Sequence, residues 1–538
     1  MKIWSLTNVE ILVVDDFPAM RSMVRTMLAA YAANKITLAR NAEEAMDLLK
    51  IHSFEIILCD YNLGDGKDGQ QFLEEAKEAQ LLPYSTLFIM ITAENTNEMV
   101  MGAMDYQPDD YLVKPFTKVV LQNRIRKLQD RKAGLKKVSQ AMDQRDYVKA
   151  LSLLAQKLSE ECKNRFELLR LKGELLLHNL AYEDARDHYA AILDERDINW
   201  ALFGLACSHY YLKDFAAAEQ TFSRLIENNK QYVRAYDWLA KVYIALGQQK
   251  KAQQFLEQAV RLSPKAIRRQ KALARSAYEN EDLDVAEKAF KSVIRQGKNS
   301  CFRSPDDFGG LARIYVDKND NKNASSTLDN MRHSYRGADA SLKLQTALVD
   351  GLINQRMGNE AQSKQAMEAA MELYRANPGG LGSKHAMQMA AVCFELGDKD
   401  SGTELLKHVV RNNHENEQVL SEAKQLFTQF DMHQEGESLV NDTAREVVDV
   451  NNSGVELVKQ GKLEESTLLF QQAAQAMPEN IVINLNAAQS LIMTMQANGS
   501  NQSQLREAWD YLSRVAKLDA ANDRYRKLLD RYQGLSKT

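Results

Sequence analysis

The first quarter of the chain contains side chains whose types suit phosphoryl chemistry: Asp15, Asp16, Asp60, Thr92 and Lys114. Three carboxylates brought to one place repel each other unless a cation lies between them, and oxygen ligands without histidine or cysteine favour Mg²⁺. A hydroxyl and an ammonium group can then hold a phosphate, which leaves one carboxylate free to act as the nucleophile. These residues therefore predict a magnesium-dependent phosphoryl site, provided that the fold brings them together.

The elements that would position these residues are alternating strands and helices. Apolar runs rich in β-branched residues predict strands at 10–14, 36–39, 55–59, 86–91 and 111–113, and helical periodicity predicts helices at 18–33, 42–51, 70–79, 95–105 and 118–129. This alternation is typical of an open α/β parallel sheet with helices on both faces. Ligands of such sheets bind at the carboxyl ends of the strands, where all of these side chains fall.

Each of these residues also has a purely structural explanation. Asp16 stands before a Phe-Pro pair and could cap a helix, and Asp60 opens an Asn-Leu-Gly-Asp-Gly run that could be only a turn. Thr92 at a strand end and Lys114 before a proline are weak signals when taken singly. Their conjunction at successive strand ends of one sheet edge favours the phosphoryl site.

At this point the residues resemble a known family. VVDD, CDYNLGDGKDG, ITA and VKPF occur in the order and approximate spacing of the receiver domains of bacterial response regulators, over about residues 9–128. The resemblance to these CheY-like receivers implies a five-stranded flavodoxin-like fold, Mg²⁺ as cofactor, and a sensor histidine kinase or phosphotransfer protein as partner. It also implies that Asp60 is the phosphoacceptor and that Thr92 and Lys114 contact the phosphoryl group.

The metal ligands and the switch follow from the same resemblance. Asp16 and Asp60 would bind Mg²⁺ directly, together with the backbone carbonyl of Asn62, and Asp15 would act largely through water. Tyr111 occupies the position of the family's switch aromatic, whose rotamer couples to the hydroxyl of the threonine at the end of the fourth strand.

Two further features concern how a signal would leave the receiver. The family's switch surface corresponds to about residues 95–129, and Lys114-Pro115 matches a position where the family usually has a cis peptide. Residues 118–144 have the pattern of a nearly continuous helix that is broken only by Gly134, without a Pro- or Gly-rich linker. We therefore expect the last receiver helix to lead directly into the next domain.

The remaining residues are helical in pattern and repeat. Only 24 glycines and 8 prolines occur in 538 residues, which favours long stretches of helix. Ala218, Ala252 and Ala286 stand 34 residues apart, and the unit YDWLAKVYIALGQQKKAQQFLEQAVRLSP has small residues at Ala240 and Ala252, where two helices would approach. This pattern is similar to the tetratricopeptide repeat (TPR), which implies an all-α superhelical solenoid.

The predicted organisation is one receiver and an array of about nine or ten repeats. We place the receiver at 1–128, a helical connector at 129–144, a first repeat block at 145–300, and a second block with degenerate repeats at 301–538. The interval from Ala286 to Ala324 is 38 residues, and residues 415–446 match the repeat poorly. Both irregularities are consistent with a joint between two blocks.

The first helix of each repeat would line a groove, and the register predicts which side chains face it. Aromatic residues come first and cations follow: Trp200, Phe203, Tyr210, Tyr211, Arg234, Lys241, Arg268, Lys271 and Arg275. Such a surface indicates a protein or peptide ligand that is acidic and contains aromatic residues. The alternative is that the aromatics pack between repeats and the cations form a solvated face.

Composition disfavours several classes of protein. The net charge of −4 divides into −6 over residues 1–130, +8 over 131–300 and −6 over 301–538, so we expect no nucleic-acid binding. The five cysteines lie far apart and form no Cys-x-x-Cys pair, which predicts reduced thiols. Without an apolar leader or a long apolar run, the chain is expected to be cytoplasmic and not inserted in a membrane.

These observations favour a response regulator whose output is protein binding and which is not an enzyme: phosphorylation of Asp60 would alter which partner the repeats hold. Two alternatives stay open. One is a Mg²⁺-dependent aspartyl-phosphate phosphohydrolase, which would need a general acid two residues after Asp60, where Asn62 stands. The other is a constitutive scaffold whose receiver is only a docking module.

Overall fold

The computed structural model describes residues 4–93, 108–144, 146–160, 164–376, 382–499, 502–519 and 522–535. The chain forms two compact units, Met1–Ile314 and Tyr315–Thr538. The described part of the first unit contains an α/β region followed by helices, whereas that of the second contains helices without strands.

Five parallel strands form the sheet of the first unit: β1 (Glu10–Val14), β2 (Lys35–Ala39), β3 (Ile56–Asp60), β4 (Leu87–Thr92) and β5 (Asp110–Val113). Their spatial order is β2-β1-β3-β4-β5, which is the flavodoxin-like order. The winding direction reverses between β1 and β3, where Val14 pairs with Cys59. A ligand crevice is therefore expected at the carboxyl ends of these two strands.

Four described helices cover the sheet: α1 (Pro18–Ala29), α2 (Ala42–Ile51), α3 (Gly69–Glu78) and α4 (Lys118–Ala133). Successive strand residues point to opposite faces, so the sheet supplies two hydrophobic layers. Leu12 and Ile57 belong to the layer that includes Phe72 of α3. Ile11 and Ile56 belong to the layer that includes residues of α1 and α4.

The predicted elements of this region differ from the structure mainly at their ends. Asp60 and Thr92 are the last residues of β3 and β4, not the residues that follow them. Helix α1 ends at Ala29 because Ala32 has a left-handed backbone, with φ of 60°, that turns the chain toward β2. The predicted helix 95–105 lies outside the described residues.

The connection from the receiver to the repeats is helical. Helix α4 ends at Ala133 with Gly134 as its C-cap, the residue at which the sequence predicts the break, and α5 (Lys136–Asp143) begins two residues after Gly134. The Asp143 carboxylate accepts a hydrogen bond from the backbone N–H of Tyr84 at 2.7 Å. The connector is thus attached to the loop that precedes β4.

The rest of the first unit consists of successive packed helices. They are α6 (Tyr147–Ser159), α7 (Arg165–His178), α8 (Tyr182–Glu195), α9 (Asn199–Tyr211), α10 (Phe215–Asn228), α11 (Val233–Ala245), α12 (Gln249–Leu262), α13 (Ile267–Glu279) and α14 (Leu283–Gln296). A 3₁₀ turn (Gly297–Asn299) and α15 (Pro305–Asp317) follow. The boundary between the two units falls within α15.

The second unit continues with helices of similar length and one long exception. They are α16 (Asn321–Ser334), α17 (Ala340–Arg356), α18 (Glu360–Ala376), α19 (Ser383–Glu395), α20 (Lys399–Asn412), α21 (Glu417–Gln429), α22 (His433–Lys459), α23 (Leu463–Ala476), α24 (Ile481–Asn498), α25 (Gln502–Asp519) and α26 (Asp523–Leu535). Helix α22 has 27 residues and packs against both α21 and α23. It therefore closes one helix pair and opens the next, which accounts for the poor repeat match of residues 415–446.

A left-handed residue recurs between the two helices of the pairs, even where the repeat pattern is weak. The residues are Leu180, Lys213, Gly247, Glu281, Asn319, Gly358, Gly397, Asp431 and Gly461, with φ between 57° and 80°. Glycine is the residue that adopts this conformation most readily, yet five of these nine positions carry another residue. A search for glycine in the sequence therefore finds only some of the turns.

The small residues of the repeat are buried as its spacing predicts. Ala218, Ala252 and Ala286 are 0% exposed, and Ala240 is 1% exposed. A larger side chain at such a position would force the paired helices apart.

Among the described residues, the helices lack the combination of length and apolar character that a membrane span requires.

Two lysine-to-glycine substitutions should change stability in opposite directions. Exposed Lys213 has φ of 61°, a conformation that costs side-chain-bearing residues about 1–2 kcal/mol, so Lys213→Gly should raise the free energy of unfolding by about 0.5–1 kcal/mol. Exposed Lys288 lies inside α14, so Lys288→Gly should lower it by about 1 kcal/mol. Urea unfolding followed by circular dichroism measures both, and shifts of the same sign would contradict the turn assignment.

Candidate functional site

Three carboxylates converge at the carboxyl edge of the sheet. One oxygen each from Asp15, Asp16 and Asp60 lies within 4.8 Å of the others. Asp15 and Asp16 follow β1, and Asp60 ends the neighbouring strand β3, so the parallel pairing of these strands brings them together. Asp15 and Asp60 are buried, at 3% and 7% exposure, whereas Asp16 is exposed.

Lys114 brings a positive charge into this cluster. Its Nζ donates to Asp60 Oδ2 at 2.8 Å and to Asp15 Oδ2 at 3.1 Å. The backbone N–H of Lys114 donates to the carbonyl of Thr92 at 2.7 Å, and the peptide bond to Pro115 is cis. The end of β5 is thereby held next to the end of β4, and the ammonium group reaches across the edge of the sheet to the carboxylates.

Burial and charge act in opposite directions at the Asp60–Lys114 pair. Burial raises the pKa of Asp60 above its ordinary value, although the hydrogen bond and charge of Lys114 oppose the shift. Burial by itself would lower the pKa of Lys114, but the hydrogen bonds and charges of Asp60 and Asp15 together raise it above its ordinary value. The lysine therefore stays charged, and Asp60 is a carboxylate held in a partly desolvated place.

The backbone around Asp15 fixes the direction of its side chain. Its Oδ1 accepts from the N–H of Phe17 at 2.9 Å, and its carbonyl accepts from Arg21 Nη1 at 2.5 Å. The N-cap residue of α1 is Phe17, with no side-chain cap hydrogen bond in this described segment. The capping explanation for Asp16 is therefore wrong, and its carboxylate lies with the cluster.

The loop after β3 approaches the cluster so closely that two glycines are required, and the sequence analysis did not single them out. A Cβ on Gly64, where φ is 74°, would lie 3.0 Å from Asp16 Oδ2. A Cβ on Gly69 would lie 2.1 Å from the carbonyl oxygen of Asp60. Asp68 caps α3 with a reciprocal capping box, so α3 begins directly against the backbone of Asp60. The Gly-Asp-Gly run at 64–66 and the Asp-Gly pair at 68–69 are typical of tight turns, and they were the available signal for these two glycines.

The remaining predicted receiver residues lie around the same edge. Thr92 ends β4 and is 9% exposed, and Asn62 is exposed in the loop, where its Oδ1 accepts from the N–H of Gly64 at 3.2 Å. Tyr111 pairs with Met90 across β4 and β5 and packs against the hydrophobic layer under α2 and α3. Of the predicted switch surface, residues 95–107 lie outside the described residues.

The donor set fits a hard divalent cation. Three carboxylates and one ammonium group leave a formal charge of −2 at the cluster. Hard oxygen donors with this excess of negative charge are what Mg²⁺ prefers, and the exposure of Asp16 leaves the cluster open to solvent on one side. Asp15, Asp16 and Asp60 are the side chains that would hold the ion.

The predicted aromatic part of the groove is a packed cluster with exposed members. Phe203 is 9% exposed, and its ring lies 6.2 Å from that of Trp238, while Tyr210 and Tyr211 lie 5.4 and 5.7 Å from the same indole. Tyr211 is 43% exposed, and Trp200 packs edge-on against Tyr189 at 6.3 Å. Phe203 is therefore buried between helices, where it packs beneath the more exposed aromatic rings.

Trp238 is the centre of this cluster, and the sequence analysis missed it. It is half-buried and lies three residues before Lys241 in the clearest repeat unit, so an aromatic and a lysine on one helix face were the available signal. Lys241 Nζ lies 4.1 Å above the Trp238 ring, and the Arg234 guanidinium lies 4.3 Å above the Phe203 ring. Both cations therefore belong to the aromatic cluster.

The other predicted groove cations have different surroundings. Lys271 pairs with Asp307 at 2.8 Å, and both side chains are largely buried. Arg268 pairs with Glu78 of α3 at 2.5 Å, and Arg275 is exposed. Two of the five predicted cations are thus engaged in ion pairs inside the first unit. Arg269, which the sequence analysis did not consider, is 6% exposed and pairs with Asp237.

Comparison with known proteins identifies two regions of the chain. The response regulator receiver domain family matches residues 11–126, and the tetratricopeptide repeat family matches residues 210–276. The chemotaxis protein CheY-3 of Vibrio cholerae serotype O1 is 32% identical over 124 residues, which cover 94% of that protein and 23% of this chain. The chemotaxis protein CheY of Pseudomonas aeruginosa is 29% identical over 125 residues, covering 99% of that protein and 23% of this chain.

Among solved structures, a tetratricopeptide repeat protein from Parabacteroides merdae is similar at 17% identity with a TM-score of 0.31, over 46% of this chain and 93% of that protein. The receiver match covers the five-stranded sheet with its carboxylate cluster, and the repeat match falls in the helical part of the first unit. The chain belongs to the response regulators, with a CheY-like receiver domain followed by tetratricopeptide repeats.

Proposed function

We propose that the chain is a cytoplasmic response regulator that accepts a phosphoryl group on Asp60 and passes the signal on by protein binding through its repeats, without binding DNA. The observation that carries the proposal is the arrangement at Asp60. Its carboxylate is buried, lies within a cluster of three aspartates, and contacts the ammonium group of Lys114. The repeats that follow supply a protein-binding surface, and the chain would act as an adaptor, not as an enzyme.

The proposed reaction transfers a phosphoryl group from a phosphohistidine of a sensor kinase or phosphotransfer protein. A carboxylate oxygen of Asp60 attacks phosphorus, the P–N bond breaks with its electron pair remaining on the imidazole nitrogen, and that nitrogen takes a proton from water. Mg²⁺ held by Asp15, Asp16, Asp60 and the carbonyl of Asn62 would neutralise the phosphoryl oxygens. Burial of Asp60 favours the reaction because a desolvated carboxylate is less stabilised by water.

Lys114 and Thr92 are proposed to hold the product. Lys114 already reaches Asp60, so its ammonium group needs only a short movement to pair with a phosphoryl oxygen. The hydroxyl of Thr92, at the end of the neighbouring strand, would donate to another oxygen. Tyr111 lies on the adjacent strand and would respond to the movement of this threonine, which is how the switch surface would change.

The proposed ligand of the repeats is an acidic protein or peptide. Trp200, Tyr210 and Tyr211 offer aromatic surface, and Lys241 and Arg275 are exposed cations on the neighbouring first helices. The packing of Phe203 and the intramolecular pairs of Arg268 and Lys271 make the surface smaller than the sequence predicts.

Phosphorylation should require Asp60 and a divalent cation. Incubation of the full chain with acetyl phosphate and Mg²⁺ should give a hydroxylamine-labile phosphoprotein, which mass spectrometry detects. Asp60→Asn and chelation by EDTA should each abolish it, because they remove the nucleophile or the cation. The control Asp65→Asn changes an exposed aspartate of the same loop and should keep the modification.

The same assay separates the alternatives. A single equivalent of label supports the switch, and multiple turnover of acetyl phosphate that depends on Asp60 would indicate a phosphohydrolase. If wild type is not modified, the phosphorylated switch is wrong and the receiver acts as a docking module.

Asp60→Asn should stabilise the protein at neutral pH. Burial raises the pKa of Asp60 in the folded protein, so folding favours the uncharged carboxyl group over the carboxylate. The stability that this group contributes is therefore fully present below its unfolded pKa, and it is lost as pH rises through its folded pKa. Asparagine carries no charge, so the variant should be the more stable at pH 7. The difference should shrink as pH falls toward the ordinary aspartate pKa of about 3.9. Chemical denaturation at several pH values measures this, and a difference that grows on acidification would contradict it.

Partner binding should depend on the exposed groove cations. The double variant Lys241→Glu Arg275→Glu should weaken capture of the partner by about tenfold or more, equivalent to about 1.4 kcal/mol, because it places acids opposite an acidic ligand. Quantitative affinity capture should compare it with wild type, with Asp60→Asn, and with the control Lys250→Glu, an exposed lysine on α12. Identical partners for wild type and Asp60→Asn would refute regulated binding.

A further inference from the structure

Helix α3 of the receiver and the loop before it contact repeat residues that come late in the sequence of the first unit. Arg268 Nη2 lies 2.5 Å from Glu78 Oε2, and Gln71 Nε2 donates to the carbonyl of Gln296 at 3.5 Å. Asn299 Nδ2 donates to the carbonyl of Gly66 at 2.5 Å, in the loop before α3. The paired residues are 190 to 233 positions apart in the chain, so the contacts result from folding of the first unit.

The three contacts lie along one side of the helix. Gln71 and Glu78 are seven residues apart, which is two turns, so both project from the same face of α3. Gly66 lies in the loop just before the N-terminus of α3. The loop and two positions on one face of α3 are therefore joined by single polar contacts to α13, α14 and the 3₁₀ turn.

Charge complementarity accompanies these hydrogen bonds. Burial raises the pKa of Asp68, the cap residue of α3; the backbone N–H groups of Gln71 and Gln70 oppose that shift, and the positive charge of Lys265 adds to their effect. Burial, followed by the charges of Glu74, Glu75 and Glu78, raises the pKa of Cys301 to about 11. The acidic side of α3 therefore faces the basic stretch of the repeats, as expected for a receiver with net charge −6 beside a stretch with net charge +8.

The contacts continue directly into the proposed phosphorylation site. The N–H of Gly69 donates to the carbonyl of Tyr61 at 2.8 Å, and there is no room for a Cβ between Gly69 and the Asp60 carbonyl. Gly66, which Asn299 holds, belongs to the same loop as Asn62. A movement of this loop that accompanies metal binding or phosphorylation must therefore alter the contact with the repeats.

The contacts are weak enough to be displaced. The side chains of Arg268 and Glu78 are 57% and 58% exposed, and such ion pairs contribute about 0–1 kcal/mol. The ring of Phe302, 4.0 Å from the Arg268 guanidinium, holds that side chain in place. The connector keeps the receiver attached at Tyr84, so the docking of α3 is intramolecular and needs little intrinsic affinity.

We propose that α3 of the receiver is an internal ligand of the basic repeat surface around Arg268, and that phosphorylation of Asp60 releases it and exposes this surface to an acidic partner. The proposal rests on the proposed function, because it assumes that Asp60 is phosphorylated. It assigns the regulated contact to α3 and the loop before it. The unphosphorylated receiver would then compete with the partner for Arg268.

Hydrogen exchange of the full chain tests this proposal. Peptides covering residues 296–303 should be protected in the resting protein and should exchange about fivefold or more faster after treatment with acetyl phosphate and Mg²⁺, since coupling energies of about 1–3 kcal/mol correspond to at least this factor. Arg268→Glu and Glu78→Arg should each show the faster exchange without phosphorylation. The control Arg261→Glu, which changes an exposed arginine that pairs with Glu257, should behave as wild type.

The charge-swapped double variant Glu78→Arg Arg268→Glu should recover protection, which a general loss of stability would not allow. Intact mass of the same samples reports phosphorylation separately. If the protein is not phosphorylated, the proposed function fails. If it is phosphorylated and exchange at 296–303 stays unchanged, or if the double variant does not recover protection, the docking proposal is wrong.

Discussion

Charge neutralisation by Lys114 is the interaction on which the receiver site depends. Two buried carboxylates and one exposed carboxylate lie within 4.8 Å of one another, and an unpaired buried charge is costly. The ammonium group contacts both buried carboxylates, and it is held in place because the backbone of Lys114 is bonded to the end of β4. The remaining negative charge suits a divalent cation. The sheet edge, the loop after β3 and the start of α3 are all built around this cluster.

The repeats meet a different constraint, which is close approach of helices. Alanines at the repeat positions are fully buried, and a left-handed residue turns the chain between helices whether or not it is glycine. Tolerance of Leu180 or Glu281 at this turn shows that packing of the helix pair dominates local backbone preference. The same dominance lets α22 serve two helix pairs, because its apolar positions satisfy neighbours on both sides.

The receiver and the first repeats are connected in two ways inside the first unit. The connector helices give a covalent and hydrogen-bonded attachment at Tyr84, and α3 adds polar contacts with Arg268 and Asn299. The first attachment is permanent, whereas the second consists of exposed polar pairs that exchange readily with water. This difference in strength is what makes the second a candidate for regulation.

The sequence by itself determined the strand-helix order, the identity of the residues at the strand ends and the 34-residue spacing, because these are local patterns of side-chain type. The family comparison confirms the receiver and the repeats. Tertiary structure alone decided that Lys114 bridges Asp15 and Asp60, that Trp238 centres the aromatic cluster, and that Arg268 contacts Glu78. Those contacts join residues far apart in the chain, and periodicity along the chain carries no information about which distant surfaces meet.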